Sequence, residues 1–432
     1  MLKSINTFGF TLAAFARPYF GRAHLQAYQL RKLKNLLAHA STHIPYYRDL
    51  FNSNGIEVSD IRNLADFRKI PLTGKQQLRE LFRSIPSGEI DRKQLIEHKT
   101  SGSTGIPLHI LRSPAEERRL NMLNWRMHWM LGLRPGDRMA KVKTTWEPLS
   151  ARFNHLENLA RAARLVNRRV FDCFLDPAEN YRKIVDFQPH ILTGYPGALV
   201  KIALQHAQQG GKLKYLRRVS CGGESLAPHQ RRILEACFEV PVHDTYGTSE
   251  CNLAAWLCPE TGHYHVCDDG ILLEVCRDGV PVAEGQSGEI VITSLHSLTM
   301  PVIRHTMGDR AVAGPGPCRC GSPFSTIEKL QGRIIDYLPL ADGRELHPFE
   351  LLNEIVTGSG DWILEYQLIQ EDLDKFRLLI VPLRPVDTDE EARFRGALLD
   401  KLGAGTQLQI EWTGSIAREG SGKLHFCRSR VE

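Results

Sequence analysis

Residues 216–223 read Leu-Arg-Arg-Val-Ser-Cys-Gly-Gly, and residues 240–250 read Val-Pro-Val-His-Asp-Thr-Tyr-Gly-Thr-Ser-Glu. Each is a short apolar run that ends in small or polar turn residues. Between them, His229–Phe238 carries helical spacing. Strand, turn, helix, strand is the alternation of an α/β domain. Open α/β sheets bind ligands in turns at the C-terminal ends of strands. Ser220–Glu224 and His243–Glu250 are therefore candidate ligand turns.

Outward from this stretch the pattern changes. On the N-terminal side, residues 24–51 read as a helix with Leu30, Leu33, Leu36 and Leu37 at helical spacing, and residues 115–132 and 151–168 read as helices too. The second carries Met and Trp, a pattern of core packing. The third carries Arg152, Arg161, Arg164 and Arg168 on what reads as a solvated face. On the C-terminal side, Ile271–Val275, Gly288–Thr293 and Val302–Arg304 read as strands with turns between them, which predicts an antiparallel part. After Gly332-Arg333 the pattern restarts. A strand (Ile334–Leu340), a turn at Asp342-Gly343, a helix (Pro348–Val356), two strands (Leu364–Gln370, Lys375–Val381), a helix (Glu390–Leu402) and a strand (Gln407–Trp412) make a small α+β unit. The expected fold class is α/β: residues 1–332 hold α/β sheets and an antiparallel β part, and residues 333–432 form the α+β unit.

Composition fits this plan. The chain has 432 residues, 42% hydrophobic and 24% charged, and can bury a sizeable core. Its net charge of +6 is mild and does not select nucleic acid as a partner. Ten cysteines are too sparse for a disulfide scaffold. The apolar stretch Phe8–Ala16 is short and is broken by Arg17-Pro18. It is no spanning helix and a poor signal peptide. A helix packing on its own domain is the simpler reading, with an interfacial helix as the alternative.

Residues 100–107 read Thr-Ser-Gly-Ser-Thr-Gly-Ile-Pro. Small residues let backbone N–H groups approach a phosphate, and hydroxyls add donors. No Gly-Lys-Ser/Thr occurs, so this is not a Walker A loop. A second cluster, Cys258, His263, His265, then Cys318-Arg-Cys320, offers thiolates and imidazole for a tetrahedral zinc set. Cys-x-Cys is tighter than the commoner Cys-x₂-Cys, so spacing alone leaves isolated thiols as the alternative.

In order, the chain shows TSGSTGIP, GGE, YGTSE, Gly308-Asp-Arg310, Gly332-Arg333 and a late GSGKLHF. This series resembles the adenylate-forming superfamily of acyl-CoA synthetases. IPYYRDLF (44–51), IPLTGKQQL (70–78), LTGYPGAL (192–199) and MPVIRHTMGD (300–309) resemble its phenylacetate–CoA ligase branch with polysaccharide-cluster relatives. The resemblance implies an AMP-forming ligase. It activates a carboxylic acid, aromatic or small aliphatic, with MgATP and passes the acyl group to the thiol of coenzyme A. An amine or a carrier-protein thiol is the alternative acceptor.

The resemblance also implies roles. Ser101, Gly102, Ser103, Thr104 and Gly105 match the loop that holds the β- and γ-phosphates. Gly222, Gly223 and Glu224 match the segment lining the adenine, with Tyr246 and Gly247 beside it and the Tyr246 ring stacked on the base. Thr248 would meet the α-phosphate, Glu250 would hold Mg²⁺, Asp309 would accept the ribose hydroxyls, and Arg333 would reach ribose or phosphate. Lys423 matches the mobile lysine bridging carboxylate and α-phosphate. Tyr195, Pro196, Ser220, Cys221, Asn252 and Ala254 match the acid pocket. The hinge of the moving C-terminal unit falls at Ile335-Asp336, and Gly343 matches a glycine lining the thiol tunnel. Some members of the branch carry zinc at a Cys…His…Cys-x-Cys arrangement; here Cys258, His265, Cys318 and Cys320 match it, and His265 fits better than His263. Relatives are often homodimers, and a reducing cytoplasm is the expected location.

Overall fold

The computed structural model describes residues 2–85, 92–99, 108–144, 167–333, 338–346, 351, 362–403, 405–418, 424 and 426–431. Two compact units hold them. One takes in Met1–Pro135 and Thr245–Gln331; the other takes in Gly136–Glu147, Val166–Asp244 and Gly332–Glu432.

In the first unit, helix Arg22–His43 buries Leu25, Tyr28, Leu33, Leu36, Leu37 and Ala40, one face at helical spacing. The single helix expected over 24–51 is two. Ile44 is extended, with φ −112° and ψ 105°, and Pro45 starts the helix Pro45–Ser53. The proline ring disfavours helical backbone at the residue before it, so the break falls at Ile44. The antiparallel part is present: Ile271–Arg277 pairs with Ser287–Ser294, which pairs with His305–Ala313. Val302–Arg304 is not a strand; the strand begins at His305. Arg304 sits at φ +43°, outside the β region. Its buried guanidinium fixes this backbone by donating to the carbonyls of Arg68 and Ile70, both at 2.6 Å, and of Gly279 at 2.7 Å.

Three of the short motifs meet here. Tyr47 donates to the Pro301 carbonyl at 2.8 Å, and Ile303 N–H donates back to its hydroxyl at 3.2 Å. Thr73 N–H donates to the Arg304 carbonyl, and Thr306 N–H donates to the Thr73 carbonyl at 2.8 Å.

The second unit carries parallel strands. Arg138–Lys143 lies between Asn167–Asp172 and Ile191–Gly194, and the last pairs with Arg218–Gly222. Helices Pro177–Phe187, Pro196–Gln208 and Pro228–Phe238 supply Tyr181, Leu199, Ile202 and Leu234 to the core of this layer. Gly194 is required by close approach, because a Cβ there would lie 2.5 Å from the Val142 carbonyl oxygen. Arg168 belongs to the strand Asn167–Asp172, not to a helix: its neighbours pair in register with Arg138–Lys143. Arg152, Arg161 and Arg164 lie outside the described residues.

The C-terminal residues form a small four-stranded sheet. Ile363–Asp372 and Lys375–Pro382 are antiparallel, and Gln407–Trp412 and Cys427–Ser429 join them in parallel. Helix Thr388–Leu402 starts at a capping box between Asp387 and Glu390 and buries Phe394 and Leu398 against Trp362 and Leu378. Of the strand expected over Ile334–Leu340, Leu338–Pro339 is observed, paired with Glu345–Leu346 around Gly343 at φ +83°. The helix expected over Pro348–Val356 lies outside the described residues except for Leu351. The chain is thus α/β, with parallel and antiparallel sheet pairing and a small C-terminal sheet.

Candidate active site and metal centre

In the first unit, Tyr246 closes the strand Val242–Tyr246, and residues 247–252 form a tight turn. Thr248 N–H donates to the Asn252 carbonyl at 3.1 Å, and Asn252 N–H returns a bond to Thr248 at 2.8 Å. Gly247 is the residue this closure demands: a Cβ would stand 2.3 Å from the Asn252 carbonyl oxygen. Asn252 itself sits at φ +68°, a region asparagine tolerates better than most residues. The turn is anchored from outside. Arg112 donates to the Ser249 carbonyl, and the Asn252 side chain donates to Asn121 at 3.2 Å.

The Tyr246 hydroxyl donates to Asp309 Oδ2 at 2.6 Å. Burial, and then the Asp309 charge, push the phenol well above its usual range. The ring is therefore a neutral, oriented aromatic face beside a carboxylate, which suits a base and its sugar. Glu250 is buried in the same turn and Ala254 is fully buried. Burial lifts the neighbouring Cys251 thiol to about 11, which makes it a poor nucleophile.

In the second unit, Tyr195-Pro196 and Cys221-Gly222 lie at the C-terminal ends of adjacent parallel strands, where Thr193 aligns with Ser220 and Gly194 with Cys221. Pro196 opens the helix that follows. Ser220 is buried, and its hydroxyl finds no hydrogen-bond partner among the described residues. Burial pushes the Cys221 thiol well up, so it too is no nucleophile. Gly223 turns the chain at φ +81°, and Glu224 Oε1 accepts the Leu424 N–H at 2.9 Å. Arg418 Nη1 stands 3.7 Å from the same oxygen, and its Nη2 reaches Glu365 at 2.7 Å. Lys201 approaches the same Glu365 oxygen at 3.1 Å.

The sequence did not single out Arg112, Asn121, Lys201, Glu365 or Arg418. Only Arg418 had a local signal, as a cation five residues before Lys423 in the Gly-Ser-Gly-Lys run. Ser101, Gly102, Ser103, Thr104, Gly105, Ile335, Asp336 and Lys423 lie outside the described residues. Arg333 ends the strand Thr326–Arg333, and Gly343 lies in the exposed hairpin turn.

The Cys/His cluster belongs to the first unit. Cys258 opens a turn in which its N–H donates to the His263 carbonyl at 2.7 Å and Gly262 N–H donates back to its carbonyl. His265 sits on the strand Tyr264–Val266, opposite Trp256. The ligand atoms of Cys258, His265, Cys318 and Cys320 lie within 4.8 Å of one another. The sulfurs of Cys258 and Cys318 are 3.8 Å apart, and Cys320 Sγ lies 3.3 Å from His265 Nε2. A tetrahedral ion with Zn–S bonds of about 2.3 Å needs sulfur–sulfur edges of about 3.8 Å, so the donor set fits zinc. His263 is not in this cluster. Cys267 faces elsewhere, toward Arg126 at 3.5 Å and Asp269 at 3.7 Å.

Residues 100–300 match the AMP-binding enzyme family, and residues 342–430 match the CapK C-terminal domain. The phenylacetate-coenzyme A ligase of Pseudomonas putida is 28% identical over 429 residues, covering 94% of each chain. That of Escherichia coli K12 is 27% identical over 342 residues, covering 77% of this chain and 76% of its own. Among solved structures, 2-hydroxyisobutyryl-CoA ligase in the postadenylation state, in complex with R3-HIB-AMP, shares the fold with a TM-score of 0.78 at 21% identity, covering 96% of this chain and 91% of its own. The two candidate ligand turns, the Tyr246–Asp309 pair and these matches point the same way: the chain is similar to adenylate-forming enzymes, and among them to phenylacetate–coenzyme A ligases and their CapK relatives.

Proposed function

We propose that this chain is an AMP-forming ligase that converts a carboxylic acid and MgATP into an acyl-adenylate and transfers the acyl group to the thiol of coenzyme A. The observation that carries this reading is the 2.9 Å bond from Leu424 N–H to Glu224. It fixes the residue after Lys423 at the glycine turn that ends a parallel strand, where an open α/β sheet holds its ligand.

In this reading Gly222, Gly223 and Glu224 line the adenine, Tyr246 and Gly247 cover it, and Asp309 and Arg333 hold the ribose. Ser101, Gly102, Ser103, Thr104 and Gly105 cradle the β- and γ-phosphates. Thr248 donates to the α-phosphate, and Lys423 places its cation where charge grows as the acid oxygen attacks and pyrophosphate leaves. Glu250 offers a hard oxygen ligand to Mg²⁺, which would draw charge from the phosphates. Tyr195, Pro196, Ser220, Cys221, Asn252 and Ala254 shape the acid pocket, and their small and apolar groups suit an aromatic or modest aliphatic acid. Residues 333–432 act as a lid that turns about Ile335-Asp336 and brings Gly343 to the thiol path. Cys258, His265, Cys318 and Cys320 hold a structural Zn²⁺: four protein ligands leave no open position for chemistry. None of the ten cysteines is in a disulfide, which suits a reducing cytoplasm.

The match of residues 342–430 to the CapK C-terminal domain favours a second reading. There the adenylation is the same, and the acceptor is an amine or a carrier-protein thiol. Lys423→Ala tests the shared chemistry: single-turnover adenylation falls by roughly 100-fold or more, and an unchanged rate contradicts the mechanism. Acyl transfer with coenzyme A alone separates the acceptors. Product formed only with an amine or carrier protein selects the second reading.

A further inference from the structure

The chain's charge is unevenly spread. Residues 1–48 hold seven of the 55 Lys and Arg and none of the 49 Asp and Glu, the first acid being Asp49; the remaining residues hold 48 basic against 49 acidic. The whole positive excess therefore sits in this opening segment. The same region exposes apolar surface. Leu12 is 58% exposed, Tyr19 77% and Phe20 61%, and Trp129 on the adjoining helix is 44% exposed. These are four of the ten large hydrophobic side chains exposed among the described residues.

The segment is firmly seated. Arg17 and Arg126 both pair with buried Asp269, and the Arg17 guanidinium lies 3.8 Å from the centre of the Tyr28 ring. The Phe15 ring meets Trp129 at 6.1 Å, tying helix Leu2–Ala16 to helix Pro114–Met130. This anchoring buries Arg17 and leaves the outer face to other residues. The Phe20 ring lies 5.1 Å from that of His24, tilted at 52°. Among the exposed residues of helix Arg22–His43, His24, Ala27, Arg31, Lys34 and Ala38 form one stripe at three- and four-residue spacing, with Arg31 and Lys34 as its cations. The exposed Phe20 thus adjoins a stripe that carries Arg31 and Lys34.

We propose that this face docks the enzyme on the surface of a bilayer rich in anionic phospholipid. Aromatic and aliphatic tips enter the headgroup boundary while cations meet anionic headgroups, the division of labour of interfacial helices. Charge favours this occupant over a second copy of the chain. A two-fold contact sets the same patch against itself and would bring the two Arg31–Lys34 stripes together with no acid in residues 1–48 to offset them. No described helix is long and apolar enough to cross a membrane, so the attachment is peripheral.

Co-sedimentation of the full chain with phosphatidylglycerol–phosphatidylcholine vesicles, against pure phosphatidylcholine, tests this. The wild type sediments with the mixed vesicles at low salt, and high salt releases it. Arg31→Glu/Lys34→Glu weakens binding by roughly 25-fold or more. Tyr19→Ser/Phe20→Ser weakens it independently, and both double variants keep wild-type ATP–pyrophosphate exchange and urea midpoint. Absence of sedimentation with mixed vesicles, or equal sedimentation of wild type and both variants, overturns the proposal. So does a dimer, seen by light scattering, that Tyr19→Ser/Phe20→Ser splits while vesicle binding persists.

Discussion

Arg418 shows how one cation can tie together residues far apart in the chain next to the segment proposed to carry the adenylation lysine. Its guanidinium bonds to Glu365, whose side chain is 3% exposed, and stands close to Glu224. Gly197 makes room, since a Cβ there would lie 2.8 Å from Arg418 Nη2. Arg418→Met strips a charge-assisted bond from a buried carboxylate, which costs about 1.5–3 kcal/mol. The expected outcome is a lower denaturation midpoint and slower adenylation, expressed in kcat with KM for ATP unchanged. A midpoint and kcat equal to wild type contradict the positioning role. Single residues were unevenly legible in the sequence. Glu224 and Tyr246 stand in recognisable turns, and Asp309 in a Gly-Asp-Arg motif. Arg418 is one of 55 Lys and Arg, and its partners lie 53 and 194 residues away, so only the folded chain brings them together.

Two local elements, the 247–252 turn and the Cys/His cluster, depend on tight geometry. The 247–252 turn depends on a missing side chain. Gly247→Ala forces a methyl against the Asn252 carbonyl, which is backbone and cannot swing aside. The turn must open, Thr248 and Glu250 must shift, and acid-dependent pyrophosphate exchange falls by at least 10-fold; retention of wild-type exchange contradicts this geometry. The Cys/His element predicts about one zinc per chain on elemental analysis of purified protein. Cys320→Ser lowers both that content and the thermal midpoint, and a metal-free wild type of equal stability counts against the centre. Elements whose local pattern agrees with their packing could be read from the sequence, such as Gln407–Trp412, Arg218–Gly222 and the antiparallel strands around 271–294. Val302–Arg304 could not. Its apolar pair reads as strand, but the backbone there obeys the buried Arg304 guanidinium and the Tyr47 hydroxyl, both of which are tertiary. Ile44-Pro45 could have been read from the proline alone.

For the whole molecule, the α/β class followed from alternation in one stretch, and the order of six motifs carried the resemblance to adenylate-forming enzymes that the comparisons also find. What the sequence hid is how the C-terminal residues attach: Glu365, Arg418 and Leu424 share a compact unit with Lys201 and Glu224. Global stability carries a pH signature. Burial holds the imidazoles of His229, His243 and His296 neutral, with their pKa lowered from 6.5 to about 4. Between pH 6.5 and 4 the unfolded chain takes up these protons and the folded chain does not, so stability falls as pH drops through that window. His296→Gln keeps a donor for the Asp269 carbonyl that His296 Nε2 meets at 2.8 Å, and flattens the decline in urea midpoint. An unaltered slope contradicts this origin. Adenylation itself can be read by ATP–pyrophosphate exchange over a panel of aromatic and aliphatic acids. Exchange is expected to require both Mg²⁺ and one class of acid, and Lys423→Ala abolishes it. Exchange that proceeds without any acid, or in the Lys423→Ala variant at the wild-type rate, contradicts the proposed adenylation.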